Sequence, residues 1–128
     1  MGNINSVQKV SFQELQEYIK TGMKDNILIN TLPEKHQDCL INYTIKANEE
    51  VNIINNLLKN DKNKKIILYG KNHSDFTIYK KYNQLQTLGF KNIYIYVGGM
   101  FEWLCLQEIY GKDLFKTTTQ ELDLLKYT

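Results

Sequence analysis

The sequence predicts an α/β domain with a mainly parallel central sheet flanked by helices on both faces. Short apolar runs typical of strands alternate along the chain with segments of helical periodicity, which is the pattern of βαβ units. The two clearest strand-like runs, residues 26–30 and 65–69, are bounded by polar residues or glycine, as buried parallel strands are. A length of 128 residues with 42% apolar side chains suits one core, so we expect a single domain.

The first helix is predicted to begin at Ser11. The Ser11 hydroxyl can accept the N–H of Glu14 while the Glu14 carboxylate reaches back, which is the capping-box pattern. Gly22 ends this helix, and the first clear strand, residues 26–30, follows.

The middle of the chain alternates in the same way. A loop containing the only proline leads into a weaker extended segment, residues 39–45. Residues 47–59 form a predicted helix with Val51 among its buried apolar positions, and the strand 65–69 then ends abruptly at Gly70.

After a polar loop, the last elements repeat the alternation. Ser74 or Asp75 is expected to cap a helix whose buried stripe ends with Leu88, and this helix closes at Gly89. A strand at 92–97 and an apolar helix at 100–110 follow, the latter stopped by glycine.

The tail is expected to carry a small helix of its own. Thr118 and Glu121 stand in capping-box spacing before Leu122 and Leu125. We therefore divide the chain into a tail at 1–9, a domain at 10–116 and a C-terminal helical tail at 117–128.

Composition excludes several functions. The net charge is only +2, which argues against nucleic-acid binding. Every one of the 16 basic residues is lysine, so phosphatase chemistry that depends on an arginine clamp is excluded. Two distant cysteines and two histidines give no metal-ligand spacing, and we expect neither a metal nor another cofactor. The cysteine usage favours a cytoplasmic, intracellular setting.

A lipidation pattern stands at the start of the sequence. Residues 1–6 match the M-G-x-x-x-[ST] signal, which makes Gly2 a candidate for N-myristoylation. A single myristoyl chain binds membranes only marginally, so we expect membrane association only if Gly2 is acylated.

The chain resembles the rhodanese-like domain family over roughly residues 10–116. The most specific part is Leu88-Gly89-Phe90-Lys91-Asn92-Ile93-Tyr94, followed by Gly98-Gly99-Met100-Phe101-Glu102-Trp103, which is similar to the family's GF-x-NVY-x-L-x-GG-x-x-x-W ending. The resemblance implies a sulfurtransferase fold in which active members carry a cysteine directly after the central strand. There a loop and a helix N-terminus hold a persulfide or phosphate anion.

The position that matches the nucleophile is Gly70, which has no side chain. The resemblance therefore implies an inactive domain with a degenerate loop, and Asp75 would satisfy the N–H groups that otherwise receive the anion. The loop residues are Gly70, Lys71, Asn72, His73, Ser74 and Asp75.

Two other interpretations of the site stay open. Cys39 is the alternative nucleophile for an unorthodox sulfurtransferase, because its segment lies near the active-site edge in rhodanese-like folds. The loop at 70–75 is alternatively an anion sensor without catalysis, with Lys71 and His73 as ligands.

A protein-binding role is the expected function. Tyr110, Phe115 and Tyr127 are candidate partner contacts, because aromatic side chains with polar tips commonly anchor interfaces. Cysteine-less rhodanese-like domains occur in centrosomal and ciliary proteins, so the resemblance implies a scaffold in a cytoskeletal or ciliary assembly.

Overall fold

The structure is a computed structural model that describes residues 7–128. Within them a five-stranded, wholly parallel sheet forms in the order β1-β5-β4-β2-β3. The strands are β1 (Lys9–Val10), β2 (Asn26–Asn30), β3 (Thr44–Ile45), β4 (Lys65–Tyr69) and β5 (Ile93–Tyr96). This confirms the predicted α/β class.

Helices cover both faces of the sheet. They are α1 (Phe12–Lys20), α2 (Ala47–Asn60), α3 (Thr77–Thr87) and α4 (Gly99–Tyr110), with 3-10 turns at Glu34–His36 and Leu124–Tyr127. The α1 and α4 side chains pack on one face, and those of α2 and α3 pack on the other. Two apolar layers on one sheet follow from the alternation of side chains along each strand.

Local sequence signals explain several boundaries. The Ser11–Glu14 capping box is present, since the Ser11 hydroxyl accepts the Glu14 N–H at 3.2 Å and the Glu14 carboxylate accepts the Ser11 N–H at 3.1 Å. Gly89 has a φ of +108°, which favours glycine after α3. The predictions at both positions are confirmed.

Four predictions of packing or extent are wrong. Only Thr44–Ile45 of the extended segment at 39–45 is a strand, because the preceding residues instead pair with the tail at Ile41 and Thr117. Val51 and Leu88 are 67% and 46% exposed, because the packing that buries Ile54 and Leu85 does not cover them.

The predicted helix in the tail is the fourth wrong prediction. Residues 117–123 are not helical, and the short 3-10 turn Leu124–Tyr127 is capped by Asp123. Thr118 cannot act as a helix cap, because its hydroxyl accepts the N–H of Leu40 at 3.1 Å. Leu122 and Leu125 are therefore exposed.

Candidate functional site

The carboxyl edge of the sheet carries the candidate site, in the loop that joins β4 to α3. Gly70 is buried and opens this loop. A Cβ added to Gly70 would lie 2.5 Å from Asp75 Oδ2 and 2.9 Å from Thr31 Oγ1. Such distances are far below van der Waals contact, so the space that a side chain at position 70 would use is already filled.

Asp75 fills that space with a carboxylate. Its Oδ2 accepts the Lys71 N–H at 2.8 Å, and its Oδ1 accepts the N–H of Thr77 at 2.9 Å and the hydroxyl at 2.6 Å. Partial burial opposes the charge, but the hydrogen bonds from Thr77 and Lys71 outweigh it and lower the pKa of Asp75. A charged internal carboxylate therefore occupies backbone and hydroxyl donors that an external anion would need.

The N-terminus of α4 holds the other side of the loop. The N–H of Met100 donates to the Gly70 carbonyl and that of Phe101 to the Lys71 carbonyl, both at 2.9 Å. Gly99 has a φ of +67°, and a Cβ there would lie 2.7 Å from the Gly70 oxygen. Only glycine lets the backbone of α4 come this close to the loop. The N–H groups of Met100 and Phe101, in the first turn of α4, are therefore already bonded to protein carbonyls.

Asn72 links the loop to the tail. Its Oδ1 accepts the Ser74 N–H at 2.8 Å, and its Nδ2 donates to the Tyr127 carbonyl at 2.7 Å. Sequence reasoning did not single out this tail contact, because nothing in the sequence pairs residues so far apart.

The expected cap of α3 differs from the structure. Phe76 is the residue that precedes the helix, and no side chain caps α3 from that position. The Ser74 N–H donates to Asn72 Oδ1. Asp75 binds the Thr77 N–H from one position further out. His73 and Ser74 are exposed, so they gain no buried environment that would activate a hydroxyl.

Cys39 is not presented to a substrate. The side chain is 4% exposed, and its Sγ donates to the Thr119 carbonyl at 3.2 Å. The tail residues 118 and 119 bond to the Asp38 carbonyl through their hydroxyls and so cover this thiol. The structure therefore contradicts Cys39 as an accessible nucleophile in this conformation.

Two of the three candidate partner contacts are buried. Phe115 is 2% exposed and packs edge-on against Trp103 with the ring centroids 5.0 Å apart. Tyr127 is 1% exposed and lies 5.8 Å from the His36 ring. Both predictions are wrong as surface contacts, because the apolar rings complete the core.

Tyr110 remains at the surface. It is 60% exposed, and Ile109 and Leu114 beside it are 70% and 52% exposed. Sequence reasoning missed these two aliphatic residues, although both stand next to glycine- and charge-rich positions that end α4.

Two sequence predictions concern membranes. Gly2 lies outside the described residues, so the structure bears on no part of its acylation. Among residues 7–128, no helix is long and apolar enough to cross a bilayer.

Comparisons with known proteins agree with the fold. The model of the rhodanese-like domain family matches residues 39–105, which is more than half of the chain and includes the whole loop at 70–75. None of the curated proteins matches this sequence.

Solved structures extend the likeness beyond the matched region. A protein from Bacillus halodurans superposes with a TM-score of 0.63 at 23% identity, covering 81% of this chain and 74% of that one. A rhodanese-like domain from Anabaena sp. gives 0.58 at 17% identity, with 80% and 75% covered. A protein of unknown function from Rhodopseudomonas palustris, described as a possible tyrosine phosphatase, gives 0.58 at 14%, with 79% and 82% covered. At these identities the likeness shows the fold.

Proposed function

Since this chain belongs to the rhodanese-like domain family, we propose that it is a catalytically inactive member that acts as a protein-binding module. The observation that carries the proposal is the pairing of Gly70 with Asp75. The position matching the family's nucleophile has no side chain, and the carboxylate of Asp75 takes the adjacent space and the Lys71 N–H. A nucleophile and an anion site are thus lost together.

In this proposal neither cysteine replaces the missing nucleophile. Cys39 is buried beneath the tail. Burial and the nearby Glu102 carboxylate raise the pKa of Cys105, which disfavours the reactive thiolate.

A sulfur-transfer assay tests the inactivity. The wild-type protein is incubated with thiosulfate and a cyanide acceptor, and intact-mass spectrometry searches for a persulfide. The Cys39→Ser variant is the matched control for the rival enzyme. We expect no thiocyanate and no persulfide from either protein. Turnover by the wild type that Cys39→Ser abolishes would overturn the proposal in favour of a sulfurtransferase that uses Cys39.

The anion-sensor alternative has less support. The loop already donates the Lys71 N–H to Asp75 and the Ser74 N–H to Asn72, and the charge of Asp75 repels an incoming anion. We therefore do not favour it.

The proposed partner surface lies at the end of α4. Ile109, Tyr110 and Leu114 are large apolar side chains close together in sequence and exposed. Neighbouring exposed apolar residues of this size are a common mark of protein interfaces, and tyrosine often anchors them. We assign this surface to a protein partner.

Substitution tests the partner surface. Tyr110→Ala should release a stoichiometric partner that copurifies with the wild-type protein. Val51→Ala, an exposed apolar truncation on α2 across the sheet, should retain it. A complex that both variants retain equally would contradict the surface assignment, and a wild-type chain that purifies alone would contradict the binding role.

The proposed setting is a larger cytoskeletal or ciliary assembly, as the family resemblance suggests, with Gly2 acylation as an additional membrane link. Mass spectrometry of the N-terminal peptide from native material tests the acylation. An unmodified peptide would remove the membrane link.

A further inference from the structure

The tail lies across the carboxyl edge of the sheet and is fixed firmly at its beginning. The Thr118 N–H donates to the Leu40 carbonyl at 2.8 Å, and the Thr118 hydroxyl accepts the Leu40 N–H at 3.1 Å. The hydroxyls of Thr118 and Thr119 also donate to the Asp38 carbonyl at 3.2 and 3.0 Å. Residues 117–119 therefore form a well-anchored base.

Beyond this base the polar contacts become local. The N–H groups of Asp123 and Leu125 donate to Glu121 and Asp123, each at 3.2 Å, and the Lys126 ammonium binds Glu121. Within residues 7–128, one hydrogen bond joins the segment 120–128 to the body, from Asn72 Nδ2 to the Tyr127 carbonyl at 2.7 Å.

Apolar contact is concentrated at the far end. Tyr127 is 1% exposed against His36, and Leu124 is partly buried against the core. Leu122 and Leu125 are 74% and 77% exposed. The turn Leu124–Tyr127 also packs against α4, so the segment is held by this one apolar contact and by the bond from Asn72.

We propose that residues 120–128 form a lid, hinged at 117–119, which opens while the rest of the domain stays folded. One hydrogen bond joins this segment to the body, and its apolar packing is confined to Leu124 and Tyr127, so we expect it to open at a lower free energy than the sheet. Opening withdraws the Tyr127 side chain and exposes the His36 ring and the Asn72 amide beside the loop at 70–75. The lid therefore controls access to this edge of the sheet.

Asn72→Asp is the sharpest perturbation of the closed lid. Aspartate keeps the oxygen that accepts the Ser74 N–H, but it replaces the donor to the Tyr127 carbonyl with an acceptor. Losing one such bond should speed opening by roughly tenfold. Leu125→Ala is the matched control, because it truncates an exposed side chain of the same segment.

Amide hydrogen exchange of the full chain measures how often the lid opens. The four-residue turn Leu124–Tyr127 is too short to be stable away from the body, so the internal hydrogen bonds of residues 120–128 should break when the lid opens. In the wild type, the bonded amides of this segment should therefore exchange faster than those of β4. Asn72→Asp should accelerate the tail by roughly tenfold and leave β4 unchanged, whereas Leu125→Ala should alter neither. NMR provides a second readout, because only two histidines are present and the His36 ring signals should shift toward those of a free imidazole when Tyr127 leaves.

Two results would overturn the lid. Wild-type tail amides that exchange only as slowly as β4 would mean that the tail opens with global unfolding. An equal acceleration of tail and β4 in Asn72→Asp would mean that the Asn72 bond stabilises the whole domain and does not hold a separate unit.

Discussion

The crowding of Gly70 by Asp75 makes a quantitative prediction about stability. In Gly70→Ala the new methyl group would lie 2.5 Å from Asp75 Oδ2, and the carboxylate cannot simply swing away because it accepts three hydrogen bonds. Overpacking of this kind costs about 1–3 kcal/mol. Asp75→Ala alone loses those bonds at a partly exposed site, and we expect it to cost about 1–2 kcal/mol.

The double variant isolates the contact. In Gly70→Ala/Asp75→Ala the methyl group no longer meets a carboxylate, so the pair should cost less than the sum of the single changes by about 1 kcal/mol or more. Urea unfolding of the four proteins measures this coupling free energy. Strict additivity would refute the reasoning, because it would mean that the Asp75 side chain does not occupy the space beside position 70.

Further predictions concern three buried or half-buried side chains, with exposed Tyr110 as the comparison for one of them. Burial, reinforced by nearby lysine ammonium groups, lowers the pKa of His36 below 6.5. Folding therefore opposes protonation of His36, and the free energy of unfolding should fall as the pH drops through about 6.5. Urea unfolding across that pH range should show a smaller fall in His36→Gln than in the wild type. The Tyr69 hydroxyl, fully buried, accepts the Ile41 N–H at 3.1 Å, so Tyr69→Phe should cost about 1–3 kcal/mol by leaving that N–H without its acceptor, and a loss below about 0.5 kcal/mol would contradict this account. Phe115→Ala should cost about 3–5 kcal/mol and Tyr110→Ala less than about 1 kcal/mol, and equal thermal shifts would contradict the burial that separates the two rings.

Local chemistry explains why much of the fold could be predicted from sequence. The strands at 26–30 and 65–69 have the predicted bounds, because each is an apolar run with polar or glycine boundaries. The capping box at Ser11 and the glycine after α3 depend on neighbours within a few residues. Such signals need no knowledge of tertiary contacts.

The wrong predictions lie at positions whose structure depends on residues far away in the sequence. Thr118 looks like a helix cap in sequence, but it bonds to Leu40, which lies 78 residues earlier. Tyr127 looks like a surface aromatic and instead fills a recess beside His36. Tertiary pairing overrides local preference at both positions.

The candidate site, too, could be predicted from the sequence only in part. The missing side chain at Gly70 and the unfavourable charge of Asp75 could be read from the sequence. The position of the Asp75 carboxylate, directly in the space beside Gly70, could not be predicted, because the loop between them has no periodic signal.

Anion binding at the loop tests most directly whether Asp75 takes the place of an external ligand. Sulfate is titrated into the wild type and into Asp75→Ala while NMR follows the Lys71 amide, whose N–H the carboxylate accepts at 2.8 Å. We expect no saturable shift in the wild type and a saturable shift in Asp75→Ala, where that N–H is free. Saturable binding of sulfate to the wild type as tightly as to Asp75→Ala would contradict it.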